Sequence, residues 1–269
     1  MKIIDNLKNE IEKTQILIFA GGTAKRMGKL DKPKALLELD KERTLLDYEI
    51  ELFSNCGFKN FVLLLGHMHE KIVEHIESKG YRKSLNIEIS VDPTTENWGR
   101  AKALKYAYEN GKVKRERFIV TYPDDLKLDK SLPLKLLLQH LSVKEKNILG
   151  TVALTNGIEF PFGIAKVNEE GKVYSFIEKP LINALTSIGL YIFEPEILDL
   201  VAKYVDFNVP KPIELEEIIL PFLANNGQLY SLIVPHDIWI AINDMKTYEK
   251  VRKMFSWLKL LLNIKKYIS

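Results

Sequence analysis

The chain is poor in cysteine, with Cys56 alone among 269 residues. One thiol excludes an intrachain disulfide and suits a reducing compartment. Long hydrophobic runs are missing too. No apolar stretch reaches the roughly 18 residues needed to cross a bilayer, although 46% of the residues are hydrophobic. The leading stretch MKIIDNLKNEIEKT carries too many charges for a signal peptide, so a soluble cytoplasmic protein is expected. Charge of one sign is also scarce, since 39 basic side chains face 36 acidic ones for a net charge of +3. A nucleic-acid binder would show a clustered basic excess, and none is expected here. The glycines at 21 and 22 follow neither the phosphate-loop pattern G-x-x-x-x-G-K-[ST] nor the dinucleotide pattern G-x-G-x-x-G. Internal repeats and low-complexity linkers are absent.

What is present is alternation. Ile3, Ile4, Leu7 and Ile11 fall at helical spacing over residues 1–14, an N-terminal helical extension. Apolar strands are expected at 15–20, 61–65, 87–91 and 118–122, with helical patterns between them at 44–55, 69–79 and 99–110. Gly57, Gly80 and Gly111 stand where those helices should stop. Continuous apolar strands alternating with helices predict an α/β fold, Rossmann-like, with a mixed, mostly parallel sheet and helices on both faces. Beyond residue 145, short strands are expected at 148–153, 162–167, 172–177, 190–193 and 229–234, and helices at 195–204 and 215–225. These continue the sheet and build a second wall of a cleft. Residues 15–243 then form one domain of two lobes, about 15–145 and about 146–243. Residues 244–269 form a basic amphipathic helix.

The chemistry concentrates after the first strand, in FAGGTAKRMGKLDKPKALLEL. Gly21 and Gly22 let the chain turn and let a ligand approach backbone N–H groups. Lys25, Arg26, Lys29, Lys32 and Lys34 crowd into ten residues. Arg26 offers a planar fork that matches phosphate oxygens, and Pro33 holds the chain extended before Lys34. The residues point to a phosphate site; a solvated basic loop is the plainer alternative.

The run A-G-G-x-x-x-R-M…P-K-A-L-L resembles the signature loop of the sugar-1-phosphate nucleotidyltransferase family. Further segments resemble that family in order: LLDYEIELFSNCGFKNFVLLLGH, VTYPDDL, FGIAKVNEEGKVYSFIEKP, SIGLYIFEPEIL and WIAINDMKTY. The resemblance spans roughly residues 15–250 and implies the nucleotide-diphospho-sugar transferase fold. It implies joining of an NTP to a sugar 1-phosphate with release of pyrophosphate, and Mg2+ as cofactor. Carried over by residue, Ala20, Gly21, Gly22, Asp92 and Gly99 would surround the nucleotide. Arg26 and Lys34 would bind the triphosphate, Asp124 would hold Mg2+, and Gly163, Glu178, Lys179 and Gly189 would face the sugar phosphate. The second metal ligand is assigned to Asn243, because Ala241 occupies the position where the family often has Asp; Asp244 lies beside it. Asp125 is the alternative to Asp124, and Pro-Asp-Asp after a strand is also ordinary turn chemistry. Likewise, Asn243-Asp244 is a helix cap in the plainer reading.

Ala24 stands where the family carries another glycine. Alanine resists positive φ by roughly 1 kcal/mol or more, which predicts a loop arranged differently. The string GGTAKRMGKLDK also resembles molybdopterin nucleotidyltransferases, and a polyol or choline phosphate is a further acceptor. A catalytically silent paralogue that binds nucleotide sugars is the remaining alternative. Ser187 replaces a frequent Asn of the sugar pocket. Asp92, read as an ionised acceptor, matches guanine N1–H and N2–H2 and so favours GTP with mannose 1-phosphate. In the alternative, Asp92 starts an Asp-Pro turn and Thr94, Thr95 or backbone groups read the base.

Three further features remain. His67, His69 and His75 with Glu74 lack the convergent partners of a transition-metal site. Trp98 and Trp239 are cleft-lining or packing residues. The 246–269 segment carries seven Lys/Arg and one acid, with Val251, Met254, Phe255, Leu258, Leu261 and Leu262 on its apolar side. It is expected to pack on the sheet or form a homo-oligomer contact, with a membrane surface as the alternative.

Overall fold

The computed structural model describes residues 2–28, 30–94 and 96–268, with side chains at all of these except 2–5, 25 and 258–268. Lys29 and Thr95 therefore lie outside the described residues, as do the side chains of Ile3, Ile4, Lys25, Leu258, Leu261 and Leu262.

Eight α-helices and eleven strands are described. In chain order they are α1 (Lys2–Glu12), β1 (Gln15–Phe19), α2 (Leu45–Ser54), β2 (Asn60–Leu65), α3 (His69–Lys79), β3 (Asn86–Val91), α4 (Arg100–Glu109), β4 (Phe118–Thr121) and β5 (Asp125–Lys127). There follow α5 (Leu132–Val143), β6 (Gly150–Glu159), β7 (Ile164–Val167), β8 (Val173–Ile177), β9 (Leu181–Phe193), α6 (Ile197–Tyr204), α7 (Leu215–Asn225), β10 (Leu229–Val234), β11 (Trp239–Ala241) and α8 (Met245–Ile268).

Seven strands form the central sheet in the order β10-β6-β9-β4-β1-β2-β3. The β1, β2, β3 and β4 pairings are parallel, and so is β10 with β6. Only β9 runs against its neighbours β4 and β6. Both sheet faces are covered, which is why its strands read as unbroken apolar runs. In β1, Ile16 and Ile18 enter a core with Leu46, Phe53, Ile72 and Leu136 from α2, α3 and α5. The alternate residues Leu17 and Phe19 enter the opposite core with Leu104, Leu198 and Ile219 from α4, α6 and α7.

Local chemistry explains the element ends. Thr44 caps α2 with a reciprocal box: the Asp47 N–H donates to Thr44 Oγ1 at 3.2 Å, and the Thr44 N–H donates to Asp47 Oδ2 at 2.8 Å. Such a cap contributes about 1 kcal/mol. Asp47 is fully buried and also receives Tyr81 Oη and contacts His75 Nε2. Burial raises its carboxyl, but the bonds from His75, Thr44 and Tyr81 more than offset this and hold it well below the usual range.

The tail helix α8 packs on its own chain. Tyr248, Val251 and Phe255 bury against Met27, Leu37, Leu39, Tyr48 and Leu126. Among the described residues no helix is long and apolar enough to cross a membrane.

The structure adds a helix that the sequence reading did not place, α5. Pro133 sits in its first turn, where a missing N–H costs nothing. Strand β9 is also thirteen residues long rather than four. Its first half pairs with the end of β6 as a ribbon beyond the main sheet, and the β7–β8 hairpin hangs from that ribbon.

Candidate active site

The parallel strands β1 to β4 deliver their carboxyl ends to one edge of the sheet, where open α/β sheets bind ligands. Ala20, Gly21 and Gly22 follow β1. Gly21 lies tight against the turn after β2: its carbonyl accepts the His67 N–H at 3.2 Å, and a Cβ there would come within 2.8 Å of Gly66 N. A side chain at this position would push the loop off the sheet. Asp92 follows β3, with its N–H bonded to the Leu65 carbonyl at 2.8 Å. Asp124 follows β4.

These strand ends open into a cleft of about 1070 Å³, bordered by Ala20, Gly21, Gly22, Arg26, Lys34 and Asp92. Gly99, Asp124 and Asn243 border the same cleft. All nine residues expected around the nucleotide and the metal are therefore brought together. Gly99 belongs to a backbone junction as well, since the Ile213 N–H donates to the Trp98 carbonyl and the Ala101 N–H to that of Ile213.

Ala24 corrects one expectation. The loop is not rearranged to spare alanine; Ala24 itself adopts the left-handed conformation, φ 51° and ψ 34°. Its carbonyl accepts the Met27 N–H at 2.9 Å, and Met27 is buried with Leu37, Leu39 and Leu45. That packing outweighs the roughly 1–2 kcal/mol of strain.

Within the loop the cations separate by partner. Lys34 Nζ donates to Asp124 Oδ2 at 2.6 Å, with the lysine side chain only 14% exposed. Lys32 pairs with Glu38 at 3.2 Å at the surface. Arg26 is exposed and makes no ion pair among the described residues.

Asp124 and Asn243 flank a second small sheet, in which β5 pairs antiparallel with β11 and Asp125 lies opposite Ala241. The Ile242 N–H donates to the Asp124 carbonyl at 2.8 Å. A carboxylate and an amide oxygen are hard donors, and Mg2+ keeps several waters with one or two protein ligands. The donor set at this end of the cleft fits that ion. Among the described residues no group of three or more His, Cys, Asp and Glu is gathered for a metal. His69 Nδ1 instead contacts the Gly66 carbonyl, and His75 contacts Asp47.

Asp125, the alternative ligand, is bonded within the protein. Its Oδ1 accepts the Trp239 indole N–H at 3.0 Å, and Gly189 (φ 67°) lies so close that a Cβ there would overlap its carboxylate. Burial pushes the Asp125 carboxyl up to about 6, opposed by Lys127 and reinforced by Asp124.

Asp92 is half-buried in the cleft wall. Burial raises its carboxyl to about 7, with the nearby Trp98 indole lowering it somewhat. Trp98 Nε1 and Asp92 Oδ1 are buried without a hydrogen-bond partner within bonding distance. Near neutral pH the group therefore exists in both forms, and the protonated form donates.

The sugar-phosphate residues do not join the cleft wall. Gly163 lies just before β7 and faces Glu178, and Glu178 and Lys179 follow β8 as exposed side chains. The β6–β9 ribbon that carries the hairpin runs on past the carboxyl end of β4, beyond the same edge of the sheet at which the cleft opens. Gly189 is buried against Tyr122 and Asp125 behind the cleft surface.

Sequence reading missed Arg100, in the first turn of α4 beside Gly99. A cation there opposes the helix dipole. Two acids answer it: Glu214 Oε2 accepts from Arg100 Nε at 2.5 Å and Glu216 Oε1 lies 3.2 Å from the guanidinium. The guanidinium sits 4.9 Å over the Tyr122 ring. Tyr122 Oη and Tyr191 Oη both donate to Glu216 Oε1, and Ser187 Oγ bonds Tyr191 Oη at 3.0 Å. The misplaced charge in Trp-Gly-Arg was the signal that could have found this network.

The sequence matches the profile of the family described as nucleotidyl transferase over residues 15–255. The chain belongs to the nucleotidyl transferase family. Similar proteins include the mannose-1-phosphate guanylyltransferase catalytic subunit beta of Dictyostelium discoideum, 29% identical over 241 residues, covering 88% of this chain and 62% of that one. The mannose-1-phosphate guanyltransferase of Saccharomyces cerevisiae is 27% identical, covering 87% and 62%. The chain thus spans about 62% of the length of these relatives. A Bacillus anthracis structure, described as a candidate glucose-1-phosphate thymidylyltransferase, shares the nucleotidyl transferase fold at a TM-score of 0.68 with 17% identity, covering 90% and 95%.

Proposed function

We propose that this nucleotidyl transferase joins an NTP to a sugar 1-phosphate, releasing pyrophosphate, with Mg2+ as cofactor. The observation that carries the reading is the cleft itself, where a glycine-bearing loop, Arg26, Lys34 and the Asp124–Asn243 pair converge. A sugar-phosphate oxygen attacks the α-phosphorus, and both reactants are anionic. Arg26 and Lys34 offset the repulsion and hold the departing pyrophosphate. Lys34 exchanges its contact with Asp124 for one with a phosphate oxygen. Asp124 and Asn243 would hold the Mg2+, which supplies Lewis-acid charge at the phosphates when bound. The backbone at Gly21 and Gly22 orients the nucleotide for in-line attack.

GTP and mannose 1-phosphate are the first pair to test, since similar proteins carry that activity in their names and Asp92, in the ionised one of its two forms, would accept two guanine donors. The hairpin that bears Glu178 and Lys179, carried beyond the carboxyl edge of the sheet by the β6–β9 ribbon, would meet the sugar phosphate. A second reading, a non-sugar phosphorylated acceptor, is favoured by Ser187 being engaged with Tyr191. The test is pyrophosphate release from a panel of NTPs against sugar 1-phosphates, polyol phosphates and choline phosphate, with and without Mg2+. Release with one sugar 1-phosphate supports the reading; no release with any pair defeats it.

A further inference from the structure

Beneath Asp124 lies a charge pair that the chemistry above does not use. Lys127, on β5, and Glu49, on α2, are both 0% exposed. Lys127 Nζ has three acceptors: Glu49 Oε1 at 2.9 Å, Thr121 Oγ1 at 2.7 Å and the Tyr122 carbonyl at 2.9 Å. These use all three ammonium donors. Thr121 Oγ1 in turn donates to Glu49 Oε1, while Glu49 Oε2 has no partner.

Stability is a weak reason to keep such a pair. Two desolvated charges are often replaced by apolar residues without loss, and an unpartnered carboxylate oxygen adds to the penalty. The geometry offers another reason. The Tyr122 carbonyl also accepts the Asp125 N–H at 3.2 Å, so it is the closing acceptor of the turn Tyr122-Pro123-Asp124-Asp125. Lys127 bonds that same oxygen from the buried side. Across the turn, the Asp124 carbonyl is held by the Ile242 N–H. Asp124 therefore sits on a turn pinned from β5 and from the segment after β11, with Lys34 on its solvent side and Lys127 below.

We infer that Lys127, held by Glu49 and Thr121, is a positioning residue that fixes the Tyr122–Asp125 turn so that the Asp124 carboxylate meets the metal in a set orientation. The inference rests on Asp124 as the metal-holding carboxylate. Groups that orient metal ligands in this way typically govern affinity by about 10–100-fold.

The test is the full chain carrying Glu49→Leu and Lys127→Met together, which removes both charges and leaves neither unpaired. Mn2+ serves as the probe, titrated by electron paramagnetic resonance in the presence of GTP. The folded variant should melt at or above the wild-type temperature and bind Mn2+ at least about 10-fold more weakly. Its kcat should fall while KM for the sugar phosphate holds. A purely structural pair would instead lower the melting temperature and leave Mn2+ affinity unchanged. If the variant does not fold, Glu49→Gln/Lys127→Met keeps an amide partner for Thr121 and carries the same expectation. Folded protein with Mn2+ affinity within twofold of wild type overturns the inference, whether or not the enzyme turns over. Wild-type protein that binds no Mn2+ with GTP or any other NTP of the panel overturns both the metal reading and the inference built on it.

Discussion

Ala24 offers a direct measurement of strain in the phosphate loop. Its φ of 51° and ψ of 34° lie in the left-handed region, which costs an alanine about 1–2 kcal/mol and glycine almost nothing. Glycine also loosens the unfolded chain, giving back about 0.4–1 kcal/mol. Ala24→Gly should therefore stabilise the protein by a net of about 0.5–1 kcal/mol. For a chain of this size that corresponds to a rise of about 1–4 °C in Tm. Ala24→Val moves the other way, because a β-branched residue at positive φ is a worse fit; a loss of about 1–2 kcal/mol is expected. Thermal and urea melts of the three proteins give the order, and NTP titrations show whether relaxing the loop alters affinity. The Met27 anchor predicts that the loop keeps its shape in the glycine variant, so nucleotide KM should stay within about threefold, roughly 0.7 kcal/mol. The reasoning fails if the glycine variant melts below the alanine protein, or if valine is tolerated as well as alanine.

Other substitutions separate binding chemistry from scaffold. Lys34→Ala should lower kcat by about 10²–10³ through loss of charge at the phosphates. Because Asp124 is 38% exposed, the same change should cost less than about 1 kcal/mol in a urea melt. Gly189→Ala drives a methyl into Asp125 at a φ of 67° and should cost at least about 2 kcal/mol by thermal melting. Glu194→Gln weakens a buried cluster in which the carboxylate takes Arg117 Nε at 3.0 Å and His140 Nε2 at 3.2 Å. Burial raises the Glu194 carboxyl, but His140 and Arg117 more than offset this and hold it at about 2 against an ordinary 4.5. Since the folded pKa is depressed, its contribution is complete above pH 4.5 and lost as pH falls through 2. The variant should cost about 2–4 kcal/mol at pH 7, with the gap closing over that acid window in urea melts.

Features fixed by near neighbours were legible in the sequence. Thr44 and Asp47 mark the start of α2 because a capping box needs only residues three apart, and strands β1 to β4 announce themselves as apolar runs. Ala20, Gly21 and Asp92 follow from the same logic, since each lies one or two steps beyond a strand end, whereas Arg26, Lys34, Asp124 and Asn243 are found from the motifs that resemble the family's. Features made by long-range pairing were not legible. Nothing local says that β9 inserts antiparallel between β4 and β6. Nor does the sequence say that its first half leaves the sheet as a ribbon and carries the hairpin with Gly163, Glu178 and Lys179 beyond the sheet's edge. Lys127 is the sharpest case. In Asp-Leu-Lys-Leu-Asp it reads as a surface lysine, because lysine is almost never fully buried. Its burial depends on Glu49, which looks equally solvated on an amphipathic helix. Each charge is tolerated inside only because the other is there, so neither position alone could reveal the pair. The two lysines that flank Asp124 thus differ in kind: Lys34 is found from its motif and is free to exchange partners, whereas Lys127 is found only from the fold and has no donor left to exchange.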